Sequence, residues 1–257
     1  MRWALSLPVL DSRIYGQVCK KLVDAFGGRF EQVIVGGAPL NAEVEAFLHK
    51  IKFPFTVGYG MTECAPLISY THWKEFIPRS SGRILPGYME VKIDSTDPQL
   101  IPGEICVRGE NVMKGYYKNE EATADVLKDG WLHTGDLGII DSEGYLFIKG
   151  RSKNMILGPS GQNIYPEEIE DRLNALPYVS ESLVIEKDGK LIALVYPDYE
   201  VVKKEKISPE QLKTKMDENR KLLNHMLPMY SQVARLKIQE TEFEKTPKRS
   251  IKRYLYQ

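Results

Sequence analysis

Apolar positions along the first 80 residues change their period three times. Ile14, Val18, Leu22, Val23 and Phe26 recur at helical spacing within Asp11 to Phe26 and predict a helix that stops at Gly27-Gly28. Gln32-Val33-Ile34-Val35 predicts a short strand running into Gly36-Gly37-Ala38-Pro39. A second helix, Asn41 to Ile51, leads to a strand from Pro54 to Tyr59 that ends at Gly60. Continuously apolar strands alternating with helices predict a parallel sheet covered on both faces. Two or three such strands alone would leave sheet edges open, which compact domains avoid.

Between residues 81 and 150 the period falls to two. Glu90-Val91-Lys92-Ile93 and Glu104-Ile105-Cys106-Val107-Arg108 are punctuated by Pro86-Gly87, Pro102-Gly103 and Asp129-Gly130 and predict an antiparallel sheet or small barrel. Asp141-Ser142-Glu143-Gly144 reads as a hairpin turn. From about Ser152 the rhythm changes again. Pro166 opens a helix through Leu176 with Glu167, Glu168 and Glu170 near its positive end. Strands near Ser182–Glu186 and Leu191–Tyr196 flank Asp188-Gly189, and a long helix starts at Ser208-Pro209-Glu210-Gln211 with a capping-box pattern and runs to Leu227-Pro228. The expected fold is therefore α/β plus α+β. Residues 1–150 divide into a sheet-and-helix segment (1–80) and a barrel-like part (81–150), which the resemblance described below implies are the end of a large domain. Residues 151–257 form a small α+β domain, with the junction at 151–153.

Composition narrows the class without choosing a function. The 257 residues carry 35 basic and 35 acidic side chains, with 42% hydrophobic residues. This is a globular composition, and zero net charge argues against nucleic acid as a partner. No run reaches the roughly 18 apolar residues of a membrane helix, and Met1–Leu10 lacks a small-residue cleavage site. Cys19, Cys64 and Cys106 form no CxxC pair, which fits a reducing cytoplasm. His49, His72, His133 and His225 show no metal-ligand spacing, and Cys64 has no recognisable histidine partner.

Three segments carry candidate chemistry. Gly58-Tyr59-Gly60-Met61-Thr62-Glu63 places a ring, a hydroxyl and a carboxylate directly after a strand. Such a carboxylate can hold Mg²⁺ beside phosphate oxygens; a plain strand-to-loop turn is the other reading. Asp136, in Thr134-Gly135-Asp136, can accept from two hydroxyls or simply close a turn. Lys149-Gly150-Arg151-Ser152-Lys153 and Gly158 to Glu170 read as a functional junction or a polar linker.

In order and spacing, Gly36-Gly37-Ala38-Pro39-Leu40, Tyr59-Gly60-Met61-Thr62-Glu63, Gly103-Glu104-Ile105 with Gly115-Tyr116-Tyr117, Thr134-Gly135-Asp136 and Gly150-Arg151-Ser152-Lys153 resemble the motifs of the acyl-adenylate-forming (AMP-binding) superfamily. The run Gly161-Gln162-Asn163-Ile164-Tyr165-Pro166-Glu167-Glu168-Ile169-Glu170 is most similar to bacterial long-chain fatty acid CoA ligases. The resemblance implies ATP-dependent activation of a fatty acid as acyl-adenylate and transfer to CoA, with ATP/AMP, Mg²⁺ and CoA bound and with peripheral membrane contact as an option. It assigns Gly36, Gly37, Ala38, Pro39, Gly60 and Met61 to the nucleotide pocket and Tyr59 to the base. Thr62 falls to the α-phosphate, Glu63 to Mg²⁺, and Asp136 with Arg151 to the ribose. Lys153 becomes a hinge and Gly161 part of the CoA side.

Two departures stand out. The family's Ser/Thr/Gly-rich phosphate loop is absent, so the expectation is a C-terminal half that is inactive alone. Ser250 occupies the position of the family's adenylating lysine. Lys248 and Lys252 are the candidates to replace it, with a solvated basic tail as the alternative. Aryl- or amino-acid-activating relatives and a non-catalytic binding module are the rival functions.

Overall fold

The computed structural model describes residues 8–159, 161–247 and 249–257, and gives only the backbone of residues 8–11. The chain divides into two units, residues 1–148 and 149–257.

In the first unit, α1 (Pro8–Ala25) ends where Gly27 and Gly28 adopt φ +89° and +71°. After β1 (Val33–Val35), α2 (Ala42–Lys50) starts at Asn41, whose side chain accepts from the Glu43 and Val44 amides at 3.0 and 3.1 Å. The strand β2 (Phe55–Val57) lies parallel to β1 with Val33 opposite Phe55 and Val35 opposite Val57. Ile51, Phe53, Phe55, Val57 and Phe76 form the core here, and Val18 and Leu22 of α1 pack on it.

The strand expected over Pro54–Tyr59 breaks at Gly58. Tyr59–Gly60 (β3) instead joins a second sheet, antiparallel to β4 (Leu67–Tyr70), which pairs with β5 (Arg83–Ile84). At Gly58 an added Cβ would sit 3.3 Å from Ile34 Cγ2, Leu67 Cδ1 and the Ser69 carbonyl oxygen. A side chain at this crossing would need its neighbours to give by a few tenths of an ångström.

A five-stranded antiparallel sheet follows. It contains β6 (Met89–Asp94), β7 (Gly103–Gly109), β8 (Leu127–Lys128, after the short α3, Glu120–Val126), β9 (Trp131–Ile140) and β10 (Leu146–Arg151). Its order is β10-β9-β7-β6, with β8 on β9. The path has two ends, so the barrel expected from the sequence is a half-barrel. Ile93, Ile105, Val107, Leu132 and Leu146 face one core together with Cys64 and Ile68.

The second unit holds a small hairpin, β11 (Ile156–Leu157) with β12 (Asn163–Ile164), then α4 (Pro166–Asn174). Its main sheet runs β13 (Val179–Lys187), β14 (Lys190–Pro197) and, after α5 (Tyr199–Lys204) and α6 (Pro209–Met226), β15 (Val233–Ile238). The β13–β14 turn, Asp188-Gly189, has φ +52° and +69°, as a tight hairpin requires. Ser208 and Gln211 complete the capping box of α6. Leu183, Ile185, Ile192, Leu194 and Phe243 form one apolar cluster with the partly buried Ile251 and Tyr256. A separate cluster joins Ile169 and Leu173 of α4, Met216 and Leu223 of α6, and Val184, Ala193 and Val195 of the sheet. Among the described residues no helix is long and apolar enough to cross a membrane.

Candidate functional site

The glycine loop and the Tyr59 segment leave the carboxyl ends of the parallel strands β1 and β2. The Gly58 amide donates to Val35 O at 2.9 Å, and a Cβ on Gly36 would stand 3.2 Å from Gly58 O. Gly36, Gly37, Ala38 and Pro39 are all exposed beside that junction. Open α/β sheets bind ligands at this end of their strands. Gly60 is held so tightly that a Cβ would fall 2.1 Å from Pro66 O, and the next amide, of Met61, donates to that same oxygen at 2.8 Å.

Thr62, Glu63 and Cys64 form a single 3-10 turn. It leaves Thr62 exposed and Glu63 half-buried, and it buries Cys64. Two bonds fix Glu63 from the segment after β7. Met113 N donates to its carbonyl at 2.7 Å, and the Tyr116 hydroxyl donates to Oε1 at 2.8 Å. That hydrogen bond, followed by burial, pushes the Tyr116 phenol above its ordinary range. No donor reaches Glu63 Oε2 among the described residues. Tyr116 was visible in the sequence within Gly115-Tyr116-Tyr117, but nothing local tied it to Glu63, 53 positions away.

Asp136 is delivered by a bulge in β9. Against β7 the register runs from Glu104 opposite Leu137 to Cys106 opposite His133, so β9 holds two extra residues in this stretch. The amides freed by the bulge are satisfied. The Thr134 hydroxyl donates to Ile105 O at 2.8 Å and accepts from Asp136 N at 3.1 Å, while Gly135 N donates to Glu104 Oε1 at 3.0 Å. Gly135 has φ +72°, where a side chain is strained. Asp136, only 7% exposed, accepts from the Tyr59 hydroxyl at 2.7 Å. Tyr59 and Asp136 therefore meet although 77 residues separate them.

His133, unassigned by sequence spacing, lies with Nδ1 2.7 Å from Glu104 Oε2 and 3.6 Å from Cys106 Sγ. The three donor atoms fall within 4.8 Å of one another. Burial, then the Glu104 charge, push the Cys106 thiol up to about 11; burial, then Glu63, do the same to Cys64. Neither thiol has the environment of a nucleophile. A concavity of about 440 Å³ lined by residues including Lys92, Asp97 and Asp141 includes none of Tyr59, Thr62, Glu63 or Asp136. These four belong to the loops and strand ends described above, outside that concavity.

The remaining candidates belong to the second unit. Arg151 ends β10 and is exposed. Lys153 is exposed on a 3-10 turn, Ser152–Asn154, that is tethered to α4 by Asn154 Nδ2 to Glu167 Oε1 at 2.6 Å. Gly161, with φ +80°, is exposed in the β11–β12 connection, where its amide donates to Gly158 O at 2.9 Å. Lys252 is half-buried and paired with Glu244 at 3.3 Å, and its amide donates to Glu244 O. Ser250 O accepts from Thr246 N at 2.8 Å in the same tight C-terminal turn. Lys248 lies outside the described residues.

Glycine loops at parallel strand ends, a hydroxyl–carboxylate turn and a bulge-borne aspartate are the segments in which the sequence resembles the acyl-adenylate-forming superfamily. Residues 11–117 match the AMP-binding enzyme family. It is 42% identical over 151 residues to a long-chain-fatty-acid–CoA ligase of Escherichia coli O157:H7, a match covering 57% of this chain and 27% of that protein. It is 39% identical over 160 residues to a feruloyl-CoA synthase of an Amycolatopsis species, covering 60% of this chain and 32% of that one. Among solved structures, the O-succinylbenzoate CoA synthetase of Bacillus subtilis in complex with AMP superposes with a TM-score of 0.71 at 26% identity, over 92% of this chain and 49% of that one. The same synthetase is also solved with ATP and a magnesium ion. The chain thus spans about half of that solved relative and about a third or less of these curated ones.

Proposed function

We propose that the chain is the nucleotide-binding and domain-alternating part of an ATP-dependent acyl-CoA synthetase that activates a long-chain fatty acid. The observation that carries this reading is the Tyr59–Asp136 hydrogen bond, which joins the loop bearing Thr62 and Glu63 to a buried carboxylate. Asp136 then accepts from the ribose hydroxyls, assisted by Arg151, and the Tyr59 ring supports the base. The backbone of Gly36, Gly37, Ala38, Pro39, Gly60 and Met61 borders the nucleotide, and Thr62 donates to the α-phosphate. Held in this way, the fatty acid carboxylate and the α-phosphate react as neighbours, which removes much of the entropic barrier.

Glu63 fits a magnesium ligand, because one oxygen is anchored by Tyr116 and the other meets no donor among the described residues. Bound there, Mg²⁺ would supply neutralisation of phosphate charge. Lys153 acts as the pivot between the adenylating and thioester-forming arrangements, Gly161 borders the CoA thiol's approach, and Lys248 or Lys252 stands in for the lysine replaced by Ser250. The similarity to a feruloyl-CoA synthase supports an aryl acid as the second substrate class.

The test is AMP release from ATP, CoA and either palmitate or ferulate, measured for this chain and for a version extended to the length of its relatives. Turnover of palmitate by the extended protein and little or none by this chain is expected. A long protein that releases AMP only with ferulate would replace the fatty acid by an aryl acid. One that releases none with either would leave a nucleotide-binding module.

A further inference from the structure

We propose that Glu104 is a positioning residue for nucleotide recognition: held by His133, it braces the Gly135 amide across the β7–β9 bulge and so fixes where Asp136 stands. The proposal rests on the reading of Asp136 as the ribose acceptor. A bulge of two extra residues has no strand partner to hold it, so its position depends on side-chain bonds. Thr134 supplies one of these from within the bulge. Glu104 supplies another from outside the bulge, at 3.0 Å, on the residue immediately before Asp136. An ionised carboxylate only accepts, so the 2.7 Å contact makes His133 Nδ1 the donor and leaves Glu104 with one oxygen on each neighbour.

The geometry favours a brace over a cation cage. Ligand atoms of a tetrahedral zinc site stand on the order of 3.3 Å apart or more, whereas Nδ1 and Oε2 are already at hydrogen-bond distance. Binding an ion through Oε2 would also require His133 Nδ1 to give up its proton and its hydrogen bond to Glu104. Cys106 fills the space beside the pair as a protonated thiol, its Sγ 3.6 Å from Nδ1.

The experiment compares AMP with 2′-deoxy-AMP by isothermal titration of this chain, with amide exchange of Gly135 followed by NMR. The wild-type chain is expected to prefer AMP. Glu104→Ala should weaken AMP about tenfold, the scale of one charge-assisted hydrogen bond, bring the ratio of the two affinities towards one, and speed Gly135 exchange. Glu104→Gln retains a carbonyl acceptor and should restore most of the preference. If Glu104→Ala does not fold, His133→Ala is read in its place and should narrow the preference about threefold. A folded Glu104→Ala that keeps the wild-type ratio overturns the brace while leaving the ribose role of Asp136 intact. A wild-type chain that binds neither nucleotide, or does not distinguish them, overturns that role and the proposal with it.

Discussion

Asp136 illustrates how far single residues can be read from a sequence. Thr134-Gly135-Asp136 marks itself, because a glycine between a hydroxyl and a carboxylate signals an unusual backbone. What holds it does not: Glu104 lies 31 positions away and Tyr59 lies 77 away, and only strand pairing brings them near. The cysteines can be tested at this scale. With pKa values of about 11, Cys64 and Cys106 are thiolate in about one molecule per thousand at pH 8, and both are buried. Iodoacetamide at pH 8 should therefore label Cys19 first, since it is only partly buried. Cys64 and Cys106 should react only after denaturant is added, as peptide mass spectrometry would report. Early labelling of Cys64 would show that the Thr62–Cys64 turn opens readily. Gly60→Ala forces a methyl group against Pro66 O and should cost about 1–3 kcal/mol in urea unfolding.

At the level of elements, helices bounded by local caps were legible and strands defined by distant partners were not. Asn41 and Ser208 announce α2 and α6 because a cap acts within four residues. The break between β2 and β3 is invisible locally, since Gly58 is crowded by Ile34, Leu67 and Ser69 from other elements. The strand β15 is likewise set from a distance, since it pairs parallel to β14 rather than across a hairpin turn. Its start is set by Asn224 at the end of α6. The side chain donates to Val233 O at 2.9 Å and accepts from Val233 N at 2.8 Å, imitating a neighbouring strand. Asn224→Ala leaves both groups without that partner and should lower stability by about 1–3 kcal/mol. Ser208→Ala should cost about 1 kcal/mol. Both are measurable by urea unfolding of the chain, and a loss well below about 1 kcal/mol for Asn224→Ala would argue that it is only a helix residue.

For the whole molecule, the second unit carries apolar clusters of its own, so residues 149–257 produced alone should unfold cooperatively, with coincident far-ultraviolet and near-ultraviolet transitions. Its C-terminal segment is fastened by Arg253, which reaches Glu170 at 2.8 Å and Val184 O at 2.9 Å with both charged side chains under 15% exposed. Arg253→Ala leaves the Glu170 carboxylate buried without its cation and should cost about 3–5 kcal/mol in the same unfolding experiment. A loss below 1 kcal/mol would mean that water reaches Glu170 easily. A change of element rhythm near residue 150 was visible along the sequence. The curvature of the β6–β10 sheet was not, since closure depends on strand count and stagger rather than on any local signal. The placement of β15 has one more consequence. During synthesis the β13–β14 hairpin emerges from the ribosome some 40 residues before the strand that covers the open side of β14. Until Val233–Ile238 is translated, the nascent chain displays an apolar, unpaired strand edge, the kind of edge on which mispairing starts.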